Sequence, residues 1–198
     1  MRIPAPSPPA DEPSRRPAGR RPPGLTRFNT APASSVTTAL LSCCASPRWA
    51  RRIATHRPYP DVDALLAAAD EASYDLSAAD LDEALAGESS PGLHPAAPPA
   101  AHTALRAAHA AYEASFGHAF VICLDGFRPD EQPDQVLAGI RSRLGNDPDE
   151  ERVVAADELR RLARARLTHV LAHVWANHPV GGDSGRPDSR PDSPSVPV

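Results

Sequence analysis

Along the middle of the chain, apolar residues recur every three or four positions with polar ones between, and that spacing predicts one helix after another. In "ASSVTTALLSCCAS" the repeat follows Ser34 or Ser35, either of which can cap the helix start. In "SPRWARRIATH", Trp49 and Ile53 lie four apart. Asp61 opens "DVDALLAAADEASY", where Leu65, Leu66 and Ala69 share one side. Ser77 stands three residues before Asp80, as in a capping box; Leu81 and Leu85 then share a face and Gly87 stops the helix. "AAHTALRAAHAAYEASFG" reads as a long Ala-rich helix ending at Gly117. "PDQVLAGIRSRLGN" is amphipathic and stops at Gly145-Asn146. The last helical stretch, "DPDEERVVAADELRRLARARLTHVLAHVWANH", opens with acids and continues with arginines, which suits the helix dipole. Only "HAFVICLDG" could be a strand, and its length does not separate a strand from a buried helix. About eight helices and at most one strand make an all-α class, a single multi-helix domain.

The pattern fails at both ends. Residues 1–23 are rich in Pro and Arg with few large apolar side chains, and residues 179–198 are similarly poor. Neither buries enough surface to offset chain entropy, so both are expected to be disordered tails around a helical domain at 24–178. Of the 198 residues 41% are hydrophobic but only 5% aromatic, so the core must rest on Leu, Ala, Val and Ile. Lysine is absent and all 21 basic residues are Arg, yet the net charge is −4, which argues against nucleic acid as a partner. No apolar run approaches the ~18 residues of a membrane span, and the N-terminus lacks the apolar core of a secretory signal. Cys43, Cys44 and Cys123 each fall in an apolar run, as buried thiols of a reducing compartment do. A soluble cytoplasmic protein is expected.

Little of the remaining chemistry is specific. His169 and His173 have the i, i+4 spacing of a metal pair, but no H-E-x-x-H arrangement or third ligand accompanies them, so a polar helix face and no metal is the reading. His102 and His109 sit two turns apart on the Ala-rich helix, again without implying a metal. The arginines of "ELRRLARARL" form mostly a solvated face, with Asp157 three residues before Arg160 and Arg160 four before Arg164 along one side of the helix. Arg166 is out of phase with them, and that phase can turn it toward a cleft. No phosphate-binding glycine loop and no G-x-S-x-G elbow is present.

An ordered set of short motifs is more telling. Phe28-Asn29, the run Leu40 to Cys44, Arg48-Trp49-Ala50 and Arg57-Pro58-Tyr59 come first. Tyr112, Phe116-Gly117 and Phe120 to Cys123 follow in a Y-x-x-x-F-G-x-x-F pattern, then Arg143-Leu144-Gly145-Asn146 with Glu151, and a closing Arg166-Leu167. Across residues 24 to 170 the chain resembles the 2-oxo-4-hydroxy-4-carboxy-5-ureidoimidazoline (OHCU) decarboxylases of purine catabolism. The resemblance implies an all-α fold and a cofactor-free loss of carbon dioxide from OHCU, an intermediate of urate breakdown, yielding S-allantoin. It implies a small-molecule substrate, a ureidoimidazoline or related oxo-acid, and a homodimer as the assembly to consider. By position it implies Arg166 as a substrate-binding residue, with Val121, Ile122 and Cys123 lining the pocket. Arg143 takes a structural role. A guanidinium offers carboxylate or ureido oxygens a planar fork.

The acid/base site departs from the family pattern. The family places a His-Pro pair after a helix, and here the helix Asp80 to Gly87 leads into Glu88, with Ser89 where the proline belongs. The family's Glu-Gln segment has no counterpart in the shortened loop that follows. Two registers therefore compete for the catalytic position. Either Glu88 acts, a different catalyst from histidine, or His94-Pro95 slips in from six residues downstream. Helix continuity favours Glu88. Alternatives to the decarboxylase are a non-catalytic homologue serving as a binding or scaffold protein, and a related enzyme of changed substrate.

Overall fold

The computed structural model describes residues 22–95 and 97–175. Eight α-helices run through them: α1 (Pro23–Thr30), α2 (Ala33–Cys43), α3 (Pro47–Thr55), α4 (Val62–Tyr74), α5 (Ala78–Ala86), α6 (Pro99–Phe116), α7 (Gln132–Arg143) and α8 (Pro148–His169). A π-helical turn, Val170–Val174, extends α8. The described residues form no strand, so the all-α expectation stands. The expected tails fall outside the described residues except for Pro22 and Pro23.

Side chains start several of these helices. Ser46 accepts from the Trp49 amide, Asp61 from Ala64 and Asp147 from Glu150, each satisfying an amide that the first turn leaves without an intrahelical partner. Ser77 and Asp80 form the full reciprocal box. At α2 neither Ser34 nor Ser35 is the cap. Pro32 occupies that position in an extended conformation and makes no side-chain bond there, so both serines lie inside the first turn. The helix α1 was not legible in the periodicity, because two apolar residues, Leu25 and Phe28, are too few for a pattern. Tertiary contacts hold it instead. The Phe28 and Trp175 rings meet edge-on at 6.1 Å, and Arg27 donates to the Trp175 carbonyl at 2.8 Å.

The main core gathers α1 to α5 around α8, with Trp49, Phe28, Leu40, Leu65 and Leu167 fully buried. Trp49 reaches from α3 to α4, its indole N–H donating to the Ala69 carbonyl at 3.0 Å. The arginines of α8 are less solvated than their spacing suggests. Arg160 and Arg164 both reach Asp70 of α4, at 3.1 and 2.6 Å, because α4 and α8 pack side by side. Gly24 shows how closely the ends of the domain meet, since a Cβ there would lie 1.9 Å from the Leu171 carbonyl oxygen. Gly24→Ala is expected to destabilise the protein by about 1–3 kcal/mol through overpacking. A thermal melt unchanged by the substitution would show that α1 shifts without cost.

A smaller cluster, Leu105, Tyr112, Phe120, Val136 and Ile140, joins α6 to α7. Between these helices residues 119–124 form neither the strand nor the buried helix considered for them; they are irregular backbone. Side chains take the hydrogen bonds that a sheet would otherwise supply. Arg143 donates to the Val121 carbonyl at 2.7 Å, the Cys123 amide donates to Glu158 at 2.7 Å, and the Phe120 amide donates to Ser90 Oγ at 2.9 Å.

Candidate active site

Gly87 ends α5 with φ −82°, so left-handed backbone is not what requires glycine there. A Cβ at Gly87 would stand 2.4 Å from that of Ala45, and this close approach sets the direction in which the chain leaves the helix. The next residue is Glu88, whose side chain is only 6% exposed. Arg166 comes from the last turn of α8. Its Nη1 and Nη2 donate to the two carboxylate oxygens of Glu88 at 2.7 and 2.8 Å, a fork-on-fork pair. Nη1 also donates to the Cys43 carbonyl at 3.1 Å. The hydrogen bonds it donates to Glu88 push the guanidinium pKa up, outweighing the effect of burial, so Arg166 stays charged. Its other edge, Nε–H with the second Nη2–H, makes no hydrogen bond among the described residues.

Glu88 and Arg166 share a cleft of about 240 Å³. Its walls are Ser89 and Pro91 beside Glu88, the irregular segment through Phe120, Val121, Ile122 and Leu124, and Leu162. Of the residues singled out in the sequence, Glu88, Arg166, Val121 and Ile122 therefore meet in one place. Cys123 lines another cleft, with Asp125, Arg164, His169 and His173. The rings of His169 and His173 lie 4.5 Å apart, yet the described residues hold no group of three side chains able to bind a metal. His94 is exposed on the loop before α6, with its carbonyl accepting from Ala97, and it does not line the Arg166 cleft. Sequence reasoning missed Leu162, although it stands one turn before Arg166 on the same helix face.

The thiols beside this cleft are not nucleophiles near neutrality. Burial pushes Cys43 and Cys44 up to about 11. What Cys43 contributes is its carbonyl. Cys123, expected to be buried, is only partly so. The arrangement can hold a planar, oxygen-rich anion against a guanidinium edge and place a carboxylate within reach of its exchangeable protons.

The sequence profile of the OHCU decarboxylase family matches residues 29–168. Among solved structures, a crystal structure of (S)-allantoin synthase is similar at 18% identity and a TM-score of 0.57, over 73% of this chain and 53% of that one. The chain thus spans about half the length of that protein. A crystal structure of OHCU decarboxylase in the presence of (S)-allantoin is similar at 21% identity and a TM-score of 0.57, over 67% of this chain and 96% of that one. At these identities the likeness concerns the fold. No curated protein matches the chain.

Proposed function

The chain belongs to the OHCU decarboxylase family, and from that membership we propose that it is a carboxy-lyase of urate catabolism, converting OHCU to S-allantoin without a cofactor, with Glu88 and Arg166 at its centre. The observation that carries the reading is the pairing of Glu88 with Arg166 in one cleft. The unengaged edge of Arg166 takes a pair of substrate oxygens, and the backbone segment through Val121 and Ile122 packs against the ring. The ring carbon then breaks its bond to the carboxylate. Carbon dioxide leaves, and the electron pair passes into the ring. Allantoin formation next requires the substrate hydroxyl to lose a proton and the neighbouring ring carbon to gain one on a single face. Glu88, an acceptor against Arg166, takes the hydroxyl proton and returns it to the carbon. The proton consumed overall comes from solvent.

The domain doing this work is read as residues 24–178, acting in the cytoplasm on a small molecule, with a homodimer as its assembly. No helix among the described residues is long and apolar enough to cross a membrane. The test follows freshly prepared OHCU by circular dichroism. Wild type should form one enantiomer of allantoin much faster than buffer does, and Glu88→Gln should lose about 10²–10⁴ of that rate. Racemic product at the uncatalysed rate with wild type would instead favour the non-catalytic homologue.

A further inference from the structure

One imidazole of the smaller cluster sits with a buried, unanswered nitrogen. His109 lies on α6, and its Nε2 is shut off from solvent with no hydrogen-bond partner among the described residues. Buried polar atoms are nearly always paired, so an orphan of this kind calls for a reason. As a bare lone pair it forgoes a hydrogen bond. As the N–H of an imidazolium it would strand a charged donor, which is costlier. Burial accordingly holds the His109 pKa below the ordinary 6.5.

The contacts of the ring lead to the active-site wall. It stacks on Phe120, with centroids 6.2 Å apart and planes 24° from parallel. Phe120 lines the cleft that holds Glu88 and Arg166. The Phe120 amide donates to Ser90 Oγ at 2.9 Å, and Ser90 donates in turn to Glu113 at 3.2 Å. Ser90 stands two residues after Glu88, and Glu113 stands one turn after His109 on α6. A ring of contacts thus runs from His109 through Phe120 and Ser90 to Glu113, and it fastens the loop that carries Glu88. Glu113, on the same helix, favours a protonated His109, but burial outweighs it. From the end of α7, Arg143 lies over the same Phe120 ring at 4.6 Å, neutralised by the buried Glu151 of α8. The segment after α6 brings His118 against Tyr112 and Phe116. The loop before α6 supplies Leu93 to the cluster and leaves His94 exposed.

We propose that His109 is a positioning residue for this site, a proton-operated latch whose neutral ring props Phe120 and whose imidazolium leaves it to pair with Glu113, freeing Ser90. The effect on rate rests on the decarboxylase reading; the latch itself is a property of the fold. Positions four apart on a helix bring a cation and a carboxylate together. Glu113 then has a stronger partner than the Ser90 hydroxyl. With Ser90 drawn off, the Phe120 amide and the loop bearing Glu88 lose their common anchor. At neutral pH the ring is uncharged and the latch is closed. As pH falls below 6.5 and through the lowered folded value, protonation opens it. His109 does not line the Glu88–Arg166 cleft, so it acts through Phe120 and Ser90.

Two measurements on the full chain test this. The first needs no substrate. The His109 imidazole and the Ser90 and Phe120 amides are followed by NMR from about pH 7.5 to about pH 5. The ring should titrate below its ordinary value, and both amides should move with the same midpoint. In His109→Phe that movement should vanish. Glu113→Gln, whose amide oxygen still accepts from Ser90, should lower the midpoint further. Amides that stay still while the ring titrates, or that move equally in His109→Phe, overturn the proposal. The second measurement is the dichroism assay at about pH 7.5 and about pH 5.5. His109→Phe keeps a ring against Phe120 and removes the orphaned nitrogen, so it should melt at or above the wild-type temperature. Between those pH values the wild-type rate should fall at least about 3-fold more than that of His109→Phe. Equal falls in the two folded proteins overturn the positioning role. If the amides titrate with His109 but wild type forms no allantoin, the latch stands and the decarboxylase reading is the part that fails.

Discussion

Glu151→Ala is expected to cost about 3–5 kcal/mol of folding stability, the largest loss from any single truncation considered for this protein. Glu151 is completely buried. Arg143 Nε donates to it at 2.9 Å, Asn146 donates at 2.9 Å, and Tyr112 donates its hydroxyl to the same carboxylate. Truncation would strand a guanidinium whose side chain is 9% exposed, with its countercharge gone. Arg143 also stacks over the Phe120 ring, at 4.6 Å, and holds the Val121 carbonyl. The damage should therefore spread to the cleft wall and appear as lost activity below the melting temperature. Urea denaturation monitored by dichroism gives the free energy, and a loss under about 1 kcal/mol would show that the network relaxes around water. The network also predicts alkaline sensitivity. Burial, with the bond to Glu151 adding to it, raises the Tyr112 phenol above its ordinary 10.0. A group whose folded pKa is raised contributes its full stability below the unfolded value. That contribution falls as pH climbs past about 10 toward the folded value.

The second large effect is an asymmetry between two partners. Arg166→Ala should destabilise the protein by about 2–4 kcal/mol, and Glu88→Ala by about 1 kcal/mol or less. The carboxylate is 6% exposed and the guanidinium 37%, so a stranded Glu88 has nowhere to go, while a stranded Arg166 still reaches water and the Cys43 carbonyl. Chemical denaturation of both variants at pH 7 measures the gap, and equal losses in the two would refute the assignment. Arg166→Lys, which keeps the charge but loses the fork, should recover little of the activity.

These variants also show what the sequence made visible. Asp61 and the Ser77–Asp80 box, with the periodic faces behind them, were legible as helix starts, whereas the caps Ser46 and Asp147 emerge only in the structure. Glu88 and Arg166 were reachable because helix continuity places one directly after α5 and helical phase sets the other apart from Arg160 and Arg164. Contacts between distant segments were not legible. The helix α1 depends on Trp175, more than 140 positions away. Arg160 and Arg164 look solvated until Asp70 is brought beside them.

The wall at residues 119–124 is held by its backbone groups, through Arg143, Glu158 and Ser90, while Ile122 and Leu124 face the cleft. Anchorage thus falls on the backbone of Phe120, Val121 and Cys123 and recognition on the side chains of Ile122 and Leu124, neighbouring residues of one segment. Exchanging a side chain there alters the shape offered to a ligand and leaves its mounting untouched, so this stretch is where substrate range can drift while the helical frame stays constant.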